Sequence, residues 1–89
     1  MLQVSDSALI LLRDALFNER SEDSQVFRLQ VQDDEFVLGL DELQQDDVEF
    51  GHDGDTILAA PPEIANSMLG DTTIDLETTP EGPKLVLVT

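Results

Sequence analysis

Cysteine is absent from all 89 residues. Its absence excludes a disulfide framework, a cysteine nucleophile, a Cys-based zinc site and a Cys-ligated iron–sulfur cluster. Basic residues are almost as scarce. Arg13, Arg20, Arg28 and Lys84 are the full set, against 20 Asp and Glu, for a formal net charge of −16. Four scattered cations make no phosphate-binding surface, and a charge of this size and sign repels nucleic acid and anionic lipid. Long apolar runs are missing too. Acidic residues interrupt MLQVSDSALILLRDAL early, and no basic stretch precedes it as in a signal peptide. The expectation is a cytoplasmic protein with neither nucleic-acid nor membrane partners.

Catalytic patterns are also missing. The sequence has no G-x-G-x-x-G, no phosphate loop and no H-E-x-x-H. The lone histidine, His52, sits beside a turn with no orienting partner in view, and reads as solvated. No cofactor and no enzyme activity are expected. Acid pairs are plentiful, as in Asp33-Asp34-Glu35, Asp41-Glu42 and Asp46-Asp47. Neighbours on a strand point to opposite faces, so adjacency alone makes no general-acid pair. A hard cation is the remaining use for such a cluster. The acidity itself has three readings: a self-repelling soluble surface, adaptation to high salt, or a face for a basic partner. Its spread along the whole chain favours the first two.

What is present suits a folded unit. Hydrophobic residues make up 40% and charged ones 27%, and the length predicts a single domain over residues 1–89. Leu2-Gln3-Val4 predicts a short strand. Ser5 or Asp6 then caps a helix running from Ala8 to about Arg20. Ala8, Leu9, Leu11, Leu12, Ala15 and Leu16 share its broad apolar face. Ile10 and Phe17 fall on the opposite side, beside Arg13, Asp14 and Arg20. Period-two alternation follows in 26–31 and 35–40, joined at Gln32-Asp33-Asp34, which predicts a hairpin. After an acidic connection over 41–47, Val48–Phe50 and Thr56–Ala59 make a second hairpin around Asp53-Gly54. Pro61-Pro62 opens a short helix over 63–69, with Gly70 as a left-handed stop. Strands over 71–77 and 85–88 flank a turn at 79–83. The order β-α-ββ-ββ-α-ββ places the chain in the α+β class. The hairpin over 26–40 and the strand over 74–77 are expected in one β system, packed on Ala8, Leu12 and Leu16.

Several of these segments together resemble a known family. Leu2 to Ala8, a strand entering a capped helix, is similar to the start of HesB/IscA-type proteins, the A-type carriers of iron–sulfur cluster assembly. Phe27-Arg28-Leu29-Gln30-Val31 resembles their first hairpin strand with its characteristic arginine. Asp47-Val48-Glu49-Phe50, Asp53-Gly54 and Ile57-Leu58 follow the next hairpin. The run from Leu69 to Leu76 resembles the family's L-x-G-x-x-I-D-[FY] segment. The resemblance spans roughly Leu2 to Leu76 in matching order. It implies a HesB-like α+β fold: a twisted mixed β core with one long N-terminal helix and one short helix.

The same resemblance points to three cysteine ligands that this sequence lacks, one in the first hairpin loop and two in a C-terminal C-x-C. The loop here reads Gln32-Asp33-Asp34-Glu35, and the sequence given stops at Thr89. No ligand position carries over, and carboxylates are poor substitutes for thiolate. The implied function is a cysteine-less relative of the carriers that binds a protein partner, as in cysteine-less domains fused ahead of NifU-like scaffolds. A carboxylate-based binder of iron or a hard cation at Asp33-Asp34-Glu35 is the alternative. Ile10, Arg13 and Phe17 are the candidate partner-binding residues, since an apolar pair rimmed by charge has the composition of a contact site; the rival readings are that the first strand or the C-terminal segment folds over Ile10 and Phe17 as core, or that the two are simply tolerated in solvent. Homo-oligomerisation stays open.

Overall fold

The computed structural model describes residues 1–89 throughout. Strand β1 (Gln3–Val4) leads into helix α1 (Asp6–Glu19). The Ser5 side chain caps the helix by accepting the Ala8 N–H at 3.2 Å, which satisfies one of the donors that every helix start leaves free. The helix closes where the Arg20 N–H donates to the Leu16 carbonyl at 2.9 Å. Its inner face buries Ala8, Leu9, Leu12 and Leu16, with Leu11 and Ala15 half-buried.

Next come hairpin β2 (Gln25–Gln32) and β3 (Glu35–Glu42), hairpin β4 (Val48–His52) and β5 (Asp55–Ala60), a π-helical segment over Ile64–Met68, and hairpin β6 (Thr73–Thr79) and β7 (Gly82–Val88). Asp33 and Asp34, at φ 50° and 65°, turn the first hairpin, and Asp53 and Gly54, at 52° and 85°, turn the second. Two successive positive φ values match the twist of the flanking strands, and Asp tolerates that region better than most residues. In the second hairpin the register slips between Phe50 and Gly51. A Cβ on Gly51 would lie 2.5 Å from the Asp55 carbonyl oxygen, so the bulge needs glycine there.

The β core is split, which corrects the expectation of one β system. Hairpin β2–β3 lies in a four-stranded sheet of order β3-β2-β5-β4, whereas β6 lies in a three-stranded sheet of order β1-β6-β7. Two long-range parallel pairings set this arrangement: β1 with β6 and β2 with β5. Both sheets still share one apolar interior. Leu2, Leu12, Leu16, Leu29, Ile57, Leu58, Ile64 and Ile74 belong to a single cluster of 14 buried residues. Two local expectations also change. Asp41 and Glu42 extend β3 rather than joining the connection. Gly70 does not take positive φ. The segment after Pro62 widens into a π turn closed by the Leu69 N–H on the Ile64 carbonyl, at 2.8 Å. Glycine is required at 70 for space, because a Cβ would lie 2.6 Å from the Asn66 carbonyl oxygen. No helix is long and apolar enough to cross a membrane.

Candidate functional site

The outer face of α1 carries the residues that the sequence singles out. Ile10 is 46% exposed and Phe17 42%; neither β1 nor the C-terminal segment covers them. Arg13 and Arg20 both stack on the Phe17 ring, with guanidinium carbons 5.3 and 4.7 Å from its centroid. Such contacts are attractive, because the electron-rich face of the ring draws a guanidinium, and they set two cations around the exposed phenyl group. Arg20 is also tethered to Asp23, loosely, at 3.8 Å. Arg13 has no carboxylate within 4 Å, and its buried Nε has no hydrogen-bond partner. In a protein with five acids per base, an unpaired arginine is the exception. Ile10, Arg13 and Phe17 thus form one outward patch, apolar at the centre and cationic at the rim.

Arg28 has a different use. Its Nε and Nη2 donate to the two carboxylate oxygens of Asp47 at 2.8 Å each, and the Gln44 N–H adds a third bond to Asp47 at 2.9 Å. The Arg28 hydrogen bonds hold the Asp47 carboxyl below the usual carboxylate range, against the opposing effect of burial. The same bonds raise Arg28 above its ordinary value. This pair ties β2 to the loop before β4, and the arginine it occupies is not free for a ligand. Asp75 is also held low, first by a hydrogen bond from Ser5 and then by the Leu76 N–H.

The acidic turn gathers no metal-sized site. Asp33, Asp34 and Glu35 are all exposed, and nowhere do three His, Asp or Glu side chains converge with ligand geometry. His52 Nδ1 lies 3.3 Å from the Asp53 carboxylate but is not hydrogen-bonded.

A cleft of about 180 Å³ opens between the two sheets. Its lining is entirely apolar: Leu12, Leu29, Ile74, Phe36 and Leu38 of β3, and Leu85–Leu87 of β7. Sequence reading does not find this cleft, because its walls come from five elements that only the tertiary fold assembles. It also leaves Asp47 unpaired with Arg28, since nothing in the pattern distinguishes that aspartate from nineteen other acids. The bidentate habit of arginine was the available signal.

No family model and no curated protein sequence matches this chain. Solved structures do. SufA from Escherichia coli, involved in biosynthesis of iron–sulfur clusters, superposes with a TM-score of 0.68 at 23% identity, over 99% of this chain and 84% of that one. IscA, solved with its [2Fe-2S] cluster, gives 0.60 at 20% identity, over 100% and 82%. A protein from Aquifex aeolicus, solved by NMR in solution, gives 0.64 at 15% identity, over 99% and 90%. At these identities the likeness extends to the fold and carries no residue roles with it. The chain is a cysteine-free protein of the HesB/IscA fold.

Proposed function

We propose that this chain is a non-enzymatic, cysteine-free relative of the iron–sulfur assembly carriers, acting in the cytoplasm by docking a protein partner on the outer face of α1. One observation carries the reading: Ile10 and Phe17 stand exposed on a helix whose other face packs Ala8, Leu9, Leu12 and Leu16 into the core, with Arg13 and Arg20 stacked on the Phe17 ring. Aromatic and arginine side chains are the residues that dominate contact energetics. Catalysis has no comparable support: the one histidine makes no hydrogen bond through Nδ1, and the hydroxyl–carboxylate contacts Ser24–Glu42 and Thr56–Glu49 are solvent-exposed with no third group orienting them. The carboxylate metal reading has none either, because the acidic turn presents its side chains singly to solvent.

The test is a paired measurement on Ile10→Ser with Phe17→Ser. Both side chains are about half exposed, so the cost should be about 1–2 kcal/mol, a fall in melting temperature of about 4–16 °C for a domain of this size, with the fold kept. Capture of a partner from the protein's own lysate should be lost. A collapse of stability with capture intact would remove the contact-site reading.

A further inference from the structure

Phe17 cannot be covered without covering a charge. The Arg13 guanidinium carbon lies 5.3 Å from the ring centroid and that of Arg20 4.7 Å. A partner seated on the ring therefore takes water from both guanidinium groups. An unpaired charge carried into a dry contact is among the costliest burials. Arg20 brings an acid of its own, Asp23, at 3.8 Å. Arg13 brings none, since no carboxylate of this chain lies within 4 Å of it. Its Nε is enclosed and unbonded, which leaves the two terminal nitrogens as the donors that a partner meets. The missing anion must come from the partner.

The rest of the face specifies the partner's shape and charge. Ile10 and Phe17 are both exposed and stand seven residues apart, about 10.5 Å along the axis of α1. A second helix laid along the first repeats its own apolar positions at that interval. Helical spacing sets Arg13 on one side of this row and Asp14, which is exposed, on the other. The two flanks differ in sign, so an incoming helix matches them with acid on one flank and base on the other. Beyond the row the molecule is acidic, at −16 overall, and a partner that is acidic throughout is repelled before contact. The partner's carboxylate is therefore a local feature of a basic surface. We infer that the partner of the α1 face is an amphipathic helix on a basic protein surface, with two apolar residues seven apart for Ile10 and Phe17 and a carboxylate between them for Arg13. This inference rests on the docking reading proposed above and adds the chemistry of the partner.

A contact one helix long is small, so its affinity depends on a few anchors: the Phe17 ring, Ile10 and the ion pair at Arg13. Arginine meets a carboxylate with two parallel hydrogen bonds, which also fixes the register of the incoming helix. Net charge and Arg13 then rank candidate helices in opposite orders. The field of the whole molecule favours the most basic helix, whereas Arg13 favours the one with an acid at the right position.

Three labelled synthetic peptides, titrated against the full chain and read by fluorescence anisotropy, test it. Each is a helix with two leucines seven apart and lysines on its outer face. They differ only between the leucines, on the flank that meets Arg13, where one carries glutamate, one glutamine and one lysine. At about 0.15 M NaCl the Debye length is about 8 Å, which damps the field of the whole molecule and spares the local contact. The glutamate peptide should bind about tenfold more tightly than the lysine peptide, with glutamine between. Arg13→Glu should reverse the order. Arg13→Gln, a milder change in case the first loses its fold, should erase the preference for glutamate over glutamine. An order of lysine, glutamine, glutamate on the wild type would mean that net charge alone attracts the peptides, and would overturn the inference. So would a preference for glutamate that survives both Arg13 variants, or no binding by any peptide up to about 1 mM. Binding that is lost in Ile10→Ser with Phe17→Ser but blind to the flank residue would overturn the inference and leave docking on α1 standing. Glutamate-selective binding untouched by that double change would remove the docking reading and the inference with it. Sedimentation covers the remaining occupant: a dimer abolished by the same double change would seat a second copy on this face and overturn the inference.

Discussion

Arg28 and Asp47, nineteen residues apart, meet through two parallel hydrogen bonds of 2.8 Å, and the Asp47 side chain is only 2% exposed. Removing one member leaves the other charged and mostly out of water, the most costly way to break an ion pair. Asp47→Asn should therefore destabilise the fold by about 3 kcal/mol. Arg28→Lys should recover little of the interaction, because an ammonium cannot present two parallel donors to one carboxylate. Chemical denaturation of the two variants beside the wild type measures both.

The same pair predicts a pH signature. The Asp47 carboxyl is depressed in the folded state, chiefly by its hydrogen bonds from Arg28. Its contribution is fully present above the unfolded carboxylate value of about 3.9 and is lost as pH falls through the lower folded value. The stability gap between wild type and Asp47→Asn should stay constant from neutral pH down to about pH 5 and narrow below about pH 4. A gap that instead narrowed on the alkaline side would mean that another group carries the difference.

Glycines separate space from conformation. Gly51→Ala and Gly70→Ala each drive a Cβ to within 2.6 Å of a backbone carbonyl oxygen, and neither backbone neighbour moves without disturbing a bulge or the π turn. Each should cost about 2–4 kcal/mol. Gly54→Ala meets no atom within 4 Å but must hold φ at 85°, so about 1–2 kcal/mol is expected. At Gly39 the nearest neighbour is the flexible Gln30 side chain at 3.6 Å, and alanine there should be neutral or stabilising by up to about 1 kcal/mol. Thermal melts of the four variants give the order directly.

The sequence is informative wherever a local rule decides. The Ser5 cap, the Asp-Gly turn and the alternation of Phe27 with Leu29 or Phe36 with Leu38 each depend on neighbours a few residues away, so the element order is readable from them. What depends on distant partners is not. The split into two sheets rests on Gln3 meeting Thr73 and Phe27 meeting Leu58, and no periodicity encodes those pairings. Gly70 shows a subtler failure: glycine after a helix suggests a left-handed stop, whereas a π turn demands glycine for clearance. At the candidate site, the outward face of Ile10 and Phe17 follows from helical spacing alone. The stacking of two arginines on one phenyl ring depends on rotamers, and the β3–β7 cleft on tertiary assembly.

Cluster chemistry gives a direct check on the missing thiolates. Anaerobic reconstitution with iron and sulfide should leave no visible chromophore after desalting, since the protein has no cysteine and its acidic turn gathers no ligand set. A stoichiometric brown species that resists EDTA would show that oxygen or nitrogen donors hold a cluster here. The metal-free spectrum of the same sample serves as the baseline.

Ionic strength should control stability more than it does in most domains of this size. Of the twenty carboxylates, only Asp47 and Asp23 have an arginine within 4 Å, and the Asp23 contact is loose and exposed. The remaining acids repel one another across a molecule whose longest extent is 38 Å. At about 0.01 M salt the Debye length is about 30 Å, so nearly every pair interacts; at about 0.15 M it is about 8 Å and only neighbours do. The melting temperature should rise steeply over that interval and level off beyond it, and NaCl and KCl should act alike if screening is the cause. Measuring at a few micromolar keeps self-association from adding its own salt dependence. The Arg28–Asp47 pair opposes this trend only weakly, because a mostly buried pair is screened far less than an exposed one. A melting temperature that stays flat or falls across the interval would mean that the carboxylates are spaced widely enough for their repulsion to be negligible in the folded state.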